Sequence, residues 1–165
     1  YVMGCLSARY QDELIAEIPE VDRFFGKFDF DAIIKELGIQ KRKDLLFDRV
    51  QTTPSHFAYL KVSEGCNRTC AFCAIPQFTG KHVSVPIENL LDEARTLVAR
   101  GVKEILLIAQ DLSFYGYDLY KESKLAELIS HLAKTEGLEC IRLHYAYPNN
   151  FPIVVWKVWR KKPKV

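Results

Sequence analysis

The chain has 165 residues, of which 48% are hydrophobic and 27% are charged, a composition that allows an ordinary globular domain with a buried core. Its 23 basic and 21 acidic residues leave a net charge of +2, so composition predicts neither direct nucleic-acid binding nor a membrane partner. No apolar run reaches the roughly 18 to 20 residues that span a bilayer, and the first residues lack the charged start of a secretory signal. We therefore expect a cytoplasmic protein.

Residues 1–37 are predicted to be the C-terminal part of an α/β domain. They contain Cys5 in a loop, a helix over 7–17, a short apolar run over 21–25 and a helix over 29–37. Polar residues and prolines are typical of connections between domains. A polar stretch of this kind covers residues 38–56, which we predict to be a linker.

Residues 57–165 alternate short apolar runs with amphipathic stretches, the pattern of parallel strands joined by crossover helices. Strands are predicted over 59–62, 104–109 and 141–145. Pro86 and Ser123 are predicted to begin the two intervening helices, and a further helix begins near Pro152. The predicted fold class is therefore α/β with about three βα units, which are too few to close a barrel.

Three of the five cysteines, Cys66, Cys70 and Cys73, follow the first of these strands at a C-x3-C-x2-C spacing. Soft thiolates on a short loop suit an iron–sulfur cluster in a reducing compartment. Three ligands would leave one iron open to an external chelating group. The alternatives are buried cysteines, or a zinc site with His56 or His82 as the fourth ligand. Zinc sites usually show paired C-x2-C units closed to four ligands, so the cluster is favoured.

The C-x3-C-x-aromatic-C pattern after a first strand resembles the signature of the radical S-adenosylmethionine (SAM) superfamily. Further matches resemble its methylthiotransferase branch, and within that branch the enzymes that modify an aspartate of a ribosomal protein. The branch matches are 73–76, 80–81, Ser84, Pro86, and 2–5 with Arg9 and Tyr10; the aspartate-modifying matches are 109–111, 115–116 and 144–148. Relatives that modify tRNA typically read Gln-Asn where this chain has Gln110-Asp111.

The resemblance implies a fold and a reaction. The fold would be an incomplete radical SAM (βα) partial barrel preceded by the end of the methylthiotransferase N-terminal domain. The enzyme would add a methylthio group to the β-carbon of an aspartate in small-subunit ribosomal protein twelve, through a 5'-deoxyadenosyl radical, with a flavodoxin-type electron donor. A tRNA methylthiotransferase and an inactive truncated cluster-binding fragment are the alternatives.

The resemblance also implies two [4Fe-4S] clusters and SAM as cofactors. The first cluster would be held by the three motif cysteines and bind SAM. The auxiliary cluster, held in the family by three N-terminal cysteines, is matched here by Cys5 alone. Cys140, outside both motifs, is predicted to be a small buried residue.

Residues that follow the strands of a parallel α/β barrel are the next candidates for SAM contacts. Gln110 or Asp111 would bind the SAM amino group, and His144 would face SAM or the substrate. Their ordinary interpretations are a solvated loop carboxylate and a structural histidine. Phe72 is interpreted either as a core aromatic or as a flat wall beside the cluster and adenine. No side chain is predicted to be catalytic.

The chain departs from the family pattern at two positions. Thr79 and Val85 stand where the family normally has arginine. Neither residue can supply the charge or the bidentate geometry of a guanidinium group. If those arginines support SAM in the family, this chain would be weak or inactive.

Overall fold

The computed structural model describes residues 1–27, 29–40, 49–148, 151–161 and 164. Part of the predicted linker, residues 41–48, lies outside the described residues. In chain order the elements are β1 (Val2–Met3), α1 (Cys5–Arg9), α2 (Gln11–Glu17), β2 (Phe24–Phe25), α3 (Phe30–Glu36), β3 (Phe57–Lys61), β4 (Ser63–Glu64), α4 (Ile75–Thr79), β5 (Val83–Ser84), α5 (Ile87–Ala99), β6 (Glu104–Ile108), α6 (Tyr117–Tyr120), α7 (Leu125–Leu132), β7 (Cys140–Leu143) and α8 (Val154–Lys161).

The chain packs as two compact units. The first comprises residues 1–46 and 69–80, and the second comprises 47–68 and 81–165. Residues 69–80 thus group by their contacts with the N-terminal part of the chain, although the sequence places them within the second predicted domain. The boundaries at 37 and 57 stay predictions.

In the first unit, β1 and β2 pair in parallel, with Val2 opposite Phe24. The single helix predicted over 7–17 is wrong, because Tyr10 has φ −118° and ψ 34° and separates α1 from α2. Cys5 was expected in a loop but is the first residue of α1. The third helix is found close to its predicted bounds, between Asp29 and Leu37.

The second unit is built on a three-stranded parallel sheet in the order β3-β6-β7. Its central strand, β6, buries Ile105, Leu106 and Leu107 in succession, as expected of a parallel strand that is covered on both faces. The edge strand β3 instead alternates, with Leu60 fully buried and Tyr59 exposed. The three strands lie within two residues of their predicted positions.

Helices α5 and α7 supply the apolar side chains that cover the sheet. Helix α5 begins directly after Pro86, as predicted, and α7 begins at Leu125. The prediction that Ser123 caps α7 is wrong, because the N-cap position belongs to Lys124 and no side chain caps the helix. The α/β fold class with three βα units is confirmed, and the sheet is open. No helix in the described ranges is long and apolar enough to cross a bilayer.

Candidate functional site

The carboxyl ends of β3, β6 and β7 meet at one edge of the sheet because the strands are parallel. Two backbone bonds tie the segments that leave this edge to one another. The His144 N–H donates to the Leu107 carbonyl at 3.0 Å, and the Leu112 N–H donates to the Tyr145 carbonyl at 3.1 Å. Tyr145 adopts a left-handed φ of 64°, which is uncommon for a residue other than glycine.

Two short strands, one before and one after the cysteine motif in the sequence, pair with each other. Strand β4 pairs antiparallel with β5, so that Ser63 lies opposite Ser84. Gly65 follows β4 with φ 78°, a conformation that glycine adopts without steric cost, and leads directly into Cys66. The sequence does not indicate this pair of strands, because strands of two residues are too short to show an alternating pattern.

The motif cysteines are free thiols that differ in exposure. Cys66 is half-buried, and its sulfur accepts a hydrogen bond from the Arg68 N–H at 3.4 Å. Cys70 and Cys73 are exposed, and the Cys73 N–H donates to the Cys70 carbonyl at 3.1 Å. The alternative that these are buried cysteines is therefore wrong for Cys70 and Cys73. In the described ranges no group of three or more His, Cys, Asp or Glu side chains is arranged to hold a metal ion.

The two histidines proposed for a zinc site lie in different surroundings. The His56 carbonyl accepts bonds from Lys103 and Glu104 at the amino end of the sheet. Cys66 follows the other end of β3, a strand whose length alone is roughly 16 Å. His82 is buried, and its Nε2 is 3.1 Å from the Ser84 hydroxyl. The preference for a cluster over a zinc site stays a prediction from the spacing of the three cysteines.

Phe72, inside the motif, is fully exposed. The interpretation of this ring as a core aromatic is wrong. Its proposed position beside a cofactor stays a prediction, and an exposed flat ring is compatible with it.

Gln110 lies two residues after the end of β6, and its side chain has one oxygen that accepts no hydrogen bond from the described residues. Its Nε2 donates to the Glu64 carboxylate, which also pairs with Lys61. Its Oε1 is buried and accepts no hydrogen bond from the described residues. A buried acceptor without a donor is unfavourable, and an ammonium group carries only donors. The SAM amino group therefore fits this position.

Asp111 is buried, so the interpretation as a solvated loop carboxylate is wrong. Its Oδ1 accepts from the Ser113 N–H at 2.9 Å and from the Ser113 hydroxyl. Its Oδ2 pairs with Arg68 Nε at 2.6 Å. Both carboxylate oxygens therefore already have partners within the protein.

His144 is partly exposed, and its ring lies edge-on to the Tyr145 ring with centroids 5.9 Å apart. Its backbone N–H is bonded to the Leu107 carbonyl. The proposed SAM-facing or substrate-facing role stays a prediction.

A polar cluster that the sequence did not indicate lies at the β4–β5 pair and is centred on the buried Ser84. The Ser84 hydroxyl contacts His82 and accepts from the Gly116 N–H at 3.0 Å, while the Ser84 N–H donates to Asp118 at 2.8 Å. Burial lowers the pKa of His82, although the nearby carboxylates of Asp118 and Asp111 oppose this shift. Burial also opposes the ionisation of Asp118, but hydrogen bonds from Ser84 outweigh it and lower the Asp118 pKa.

In the first unit, two cations of the N-terminal segment bind the segment around α4. Arg9 donates to the Gln77 side-chain carbonyl at 3.1 Å, and Lys27 donates to the Thr79 carbonyl. These residues line a cavity of about 410 Å³. Cys5 lies half-buried at the start of α1.

The two departures from the family pattern have local structural roles. The Thr79 hydroxyl donates to the Ile75 carbonyl at 2.7 Å and thereby closes the last turn of α4. Val85 packs against the core of the second unit, and its N–H donates to the Val62 carbonyl at 2.9 Å.

Known proteins resemble the chain along its whole length. Proteins named "Ribosomal protein uS12 methylthiotransferase RimO" from Bacteroides fragilis, Phocaeicola vulgatus and Flavobacterium johnsoniae are 53%, 52% and 53% identical to it over 165 residues. The alignment covers 100% of this chain and 38% of each relative. The chain therefore spans little more than a third of the length of these curated relatives.

Among solved structures, a radical S-adenosylmethionine methyltransferase, TsrM, from Kitasatospora setae is similar with a TM-score of 0.42 and 9% identity, over 66% of this chain and 29% of that one. This similarity is too low to support an argument about the chain.

The family model described as the Radical SAM superfamily matches residues 60–150. This range is more than half of the chain. It begins within β3 and includes the three motif cysteines, Gln110 and His144. The chain belongs to the radical SAM superfamily.

Proposed function

We propose that this chain carries the radical SAM core of a methylthiotransferase that adds a methylthio group to the β-carbon of an aspartate in ribosomal protein uS12, ribosomal protein twelve of the small subunit. The observation that carries the proposal is 53% identity over the whole chain to relatives named for that activity. The cysteine motif at the carboxyl end of β3 supports it independently. Because the relatives are longer, the activity is proposed for the protein to which these residues belong.

Membership of the superfamily implies an iron–sulfur cluster and SAM as cofactors. Cys66, Cys70 and Cys73 would hold a [4Fe-4S] cluster, since all three are free thiols and thiolates are the usual ligands of such clusters. When bound, the cluster and SAM supply a carbon-centred radical able to remove an unactivated hydrogen. The protein's part is to hold these groups at the carboxyl ends of its strands and to orient SAM.

Gln110 is the side chain best placed to orient SAM. Its Oε1 is a buried acceptor that receives no hydrogen bond within the described part of the chain, and its Nε2 donates to the Glu64 carboxylate. A donated hydrogen bond from the SAM amino group would satisfy that oxygen. The exposed Phe72 ring would offer a flat apolar surface to the adenine, and His144 would face SAM or the substrate.

The remaining parts of the proposal concern the whole protein. Cys5 would be one of three ligands of an auxiliary [4Fe-4S] cluster that carries the transferred sulfur. A flavodoxin-type protein would supply electrons, and the reaction, on a ribosomal protein, would take place in the cytoplasm. No observation favours tRNA as the substrate.

The proposal is tested by anaerobic reconstitution of the 165-residue chain with iron and sulfide. We expect a reduced [4Fe-4S] signal in the EPR spectrum that changes when SAM is added. Cys70→Ala should abolish the change, because it removes one of the three ligands. Cys140→Ala is the matched control, since Cys140 lies on β7 outside the motif and its loss should leave both spectra unaltered.

Two results would count against the proposal. A cluster whose spectrum is indifferent to SAM would indicate a cluster-binding module without the proposed reaction. A chain that binds no cluster, with Cys70→Ala and wild type behaving alike, would favour the inactive-fragment alternative suggested by Thr79 and Val85.

A further inference from the structure

We propose that Arg68 is a positioning residue that holds Cys66 against the loops following β6 and β7, and that Asp111 is its structural partner rather than a ligand of SAM. This inference rests on the proposed function, in which Cys66 is a cluster ligand. It assigns roles to two residues on geometric grounds, and it changes the role that the sequence suggested for Asp111.

The Arg68 guanidinium contacts both loops at once. Its Nε lies 2.6 Å from Asp111 Oδ2, and its Nη2 donates to the Ser113 hydroxyl at 3.2 Å. On the other side it stacks over the Tyr147 ring, 3.9 Å from the centroid. Asp111 and Ser113 follow β6, whereas Tyr147 follows β7. A planar group with several fixed donors can make all of these contacts together, which an ammonium group cannot do.

The Arg68–Asp111 ion pair is buried enough to matter energetically. The exposed fraction of the Asp111 side chain is 3% and that of Arg68 is 22%. An exposed ion pair contributes little, but removing one partner of a buried pair leaves an uncompensated charge away from water. Losing the guanidinium would therefore disturb the Asp111 loop.

The same residue is fixed to Cys66 through its backbone. The Arg68 N–H donates to Cys66 Sγ at 3.4 Å, and the Asn67 side-chain carbonyl accepts from the His82 N–H at 3.0 Å. The two residues after Cys66 are thus anchored, Asn67 beside β5 and Arg68 on the β6 loop. Hydrogen bonds to cluster sulfur are one determinant of a cluster's reduction potential. Holding Arg68 therefore holds both the position of the thiol and its N–H···S bond.

The hydrogen-bond partners of Asp111 and Gln110 also indicate different roles for these two residues. Both oxygens of Asp111 already accept bonds from Ser113 and Arg68. A SAM amino group at Asp111 would have to displace one of these partners. At Gln110 it would meet an acceptor that has none among the described residues.

The first test needs no cluster. In the chain without iron, the rate of alkylation of Cys66 by iodoacetamide is measured by mass spectrometry for wild type, Arg68→Met, Arg68→Lys and Asp111→Asn. We expect Cys66 to react several times faster in Arg68→Met and Asp111→Asn, with Arg68→Lys between them and wild type. Arg95→Met is the matched control, because it breaks an Arg–Asp pair of 2.7 Å that is exposed on both sides.

The second test uses the reconstituted chain. In Arg68→Met we expect a lower cluster reduction potential. The variant keeps the backbone N–H at position 68, but without the guanidinium contacts this N–H is no longer held toward Cys66 Sγ, and its hydrogen bond stabilises the more negative reduced cluster. The SAM concentration that changes half of the EPR signal should rise about tenfold, equivalent to about 1.4 kcal/mol. Circular dichroism of each variant checks that it is folded, and Asp111→Asn keeps an acceptor for the Ser113 N–H.

The outcomes are distinguishable. Unchanged Cys66 labelling in Arg68→Met and Asp111→Asn would overturn the inference, even if wild type binds SAM. If Asp111→Asn weakens SAM binding but leaves the rate of Cys66 labelling unchanged, the result would indicate that Asp111 is a SAM ligand. A wild-type chain that takes up no cluster would contradict the proposed function, while the labelling rates would still decide the role of Arg68.

Discussion

His82 is a titratable side chain enclosed by the protein. Its ring contacts the Ser84 hydroxyl and lies edge-on to the Phe114 ring, with centroids 5.2 Å apart. Burial lowers its pKa below 6.5, against the opposing effect of two carboxylates. His82 therefore binds a proton less readily in the folded chain than in the unfolded chain, where its pKa is about 6.5.

Linkage gives the direction of the pH effect on stability. Well above pH 6.5 His82 is neutral in both states, so there its contribution does not vary with pH. As the pH falls below 6.5, the unfolded chain binds the proton first and the free energy of unfolding decreases. We expect urea unfolding at pH 7.5, 6.5 and 5.5 to show this decrease, and His82→Gln to make it smaller.

His131→Gln is the control for this measurement, since His131 lies on the exposed side of α7. The quantity to compare is the change in free energy between pH 7.5 and 5.5, because His82→Gln alters the absolute stability as well. Equal pH dependence in wild type and His82→Gln would show that another group is responsible.

The sequence pointed to some residues of the candidate site and missed others for a physical reason. Cys66, Cys70 and Cys73 stand close together in the sequence, so they could be proposed as cluster ligands from their spacing and its resemblance to a known family signature. Arg68 has no such signature. Its partner Asp111 is far along the chain and becomes its neighbour only because β3 and β6 are adjacent in the sheet.

Among the elements, α5 shows most directly how spacing determines packing. Leu90, Ala94 and Leu97 recur at intervals of four and three residues, which places them on one face of a helix, and all three are buried. Leu91 lies beside this face and is only partly buried.

Replacing a fully buried leucine removes apolar contacts and leaves a cavity. We expect Leu90→Ala to lower the free energy of unfolding by about 2–5 kcal/mol. Leu91→Ala, on the same helix, should cost clearly less. Urea denaturation of both variants with a common m-value measures the difference. Equal losses would mean that α5 is not oriented with Leu90 toward the core.

Long periodic elements were predictable from the sequence, and short or interrupted ones were not. The apolar run of β6 and the face of α5 depend on their own residues, so periodicity reveals them. The two-residue strands β4 and β5 exist because they pair with each other. The break at Tyr10 and the N-cap at Lys124 depend on backbone conformations that residue type does not determine.

At the scale of the whole chain, buried apolar side chains are distributed unevenly between the two units. Phe24 and Phe25 are the buried hydrophobic residues of the first unit among those described, and the others all belong to the second unit, where every one except Leu106 lies in the cluster around the β3-β6-β7 sheet. The first unit exposes large apolar side chains on its helices, such as Ile15 and Phe30. Sequence periodicity could not show this difference, because burial depends on what each face packs against.

Regions with more buried apolar contacts need a larger free energy to open, so we expect the two units to open at different free energies. We expect backbone amides of β6 to exchange with deuterium most slowly, and amides of α2 and α3 to exchange fastest among the described helices. Hydrogen exchange followed by pepsin digestion and mass spectrometry measures both in one sample.

Comparing wild type with Leu97→Ala distinguishes separate opening of the two units from cooperative unfolding, since Leu97 is buried in the second unit. If the units open separately, the variant speeds exchange in β6 peptides and leaves α2 and α3 peptides as they are in wild type. If instead all peptides exchange at one common rate that rises everywhere in Leu97→Ala, the chain unfolds as one cooperative body. The uneven burial would then have no consequence for local stability, because opening of the first unit would require opening of the sheet.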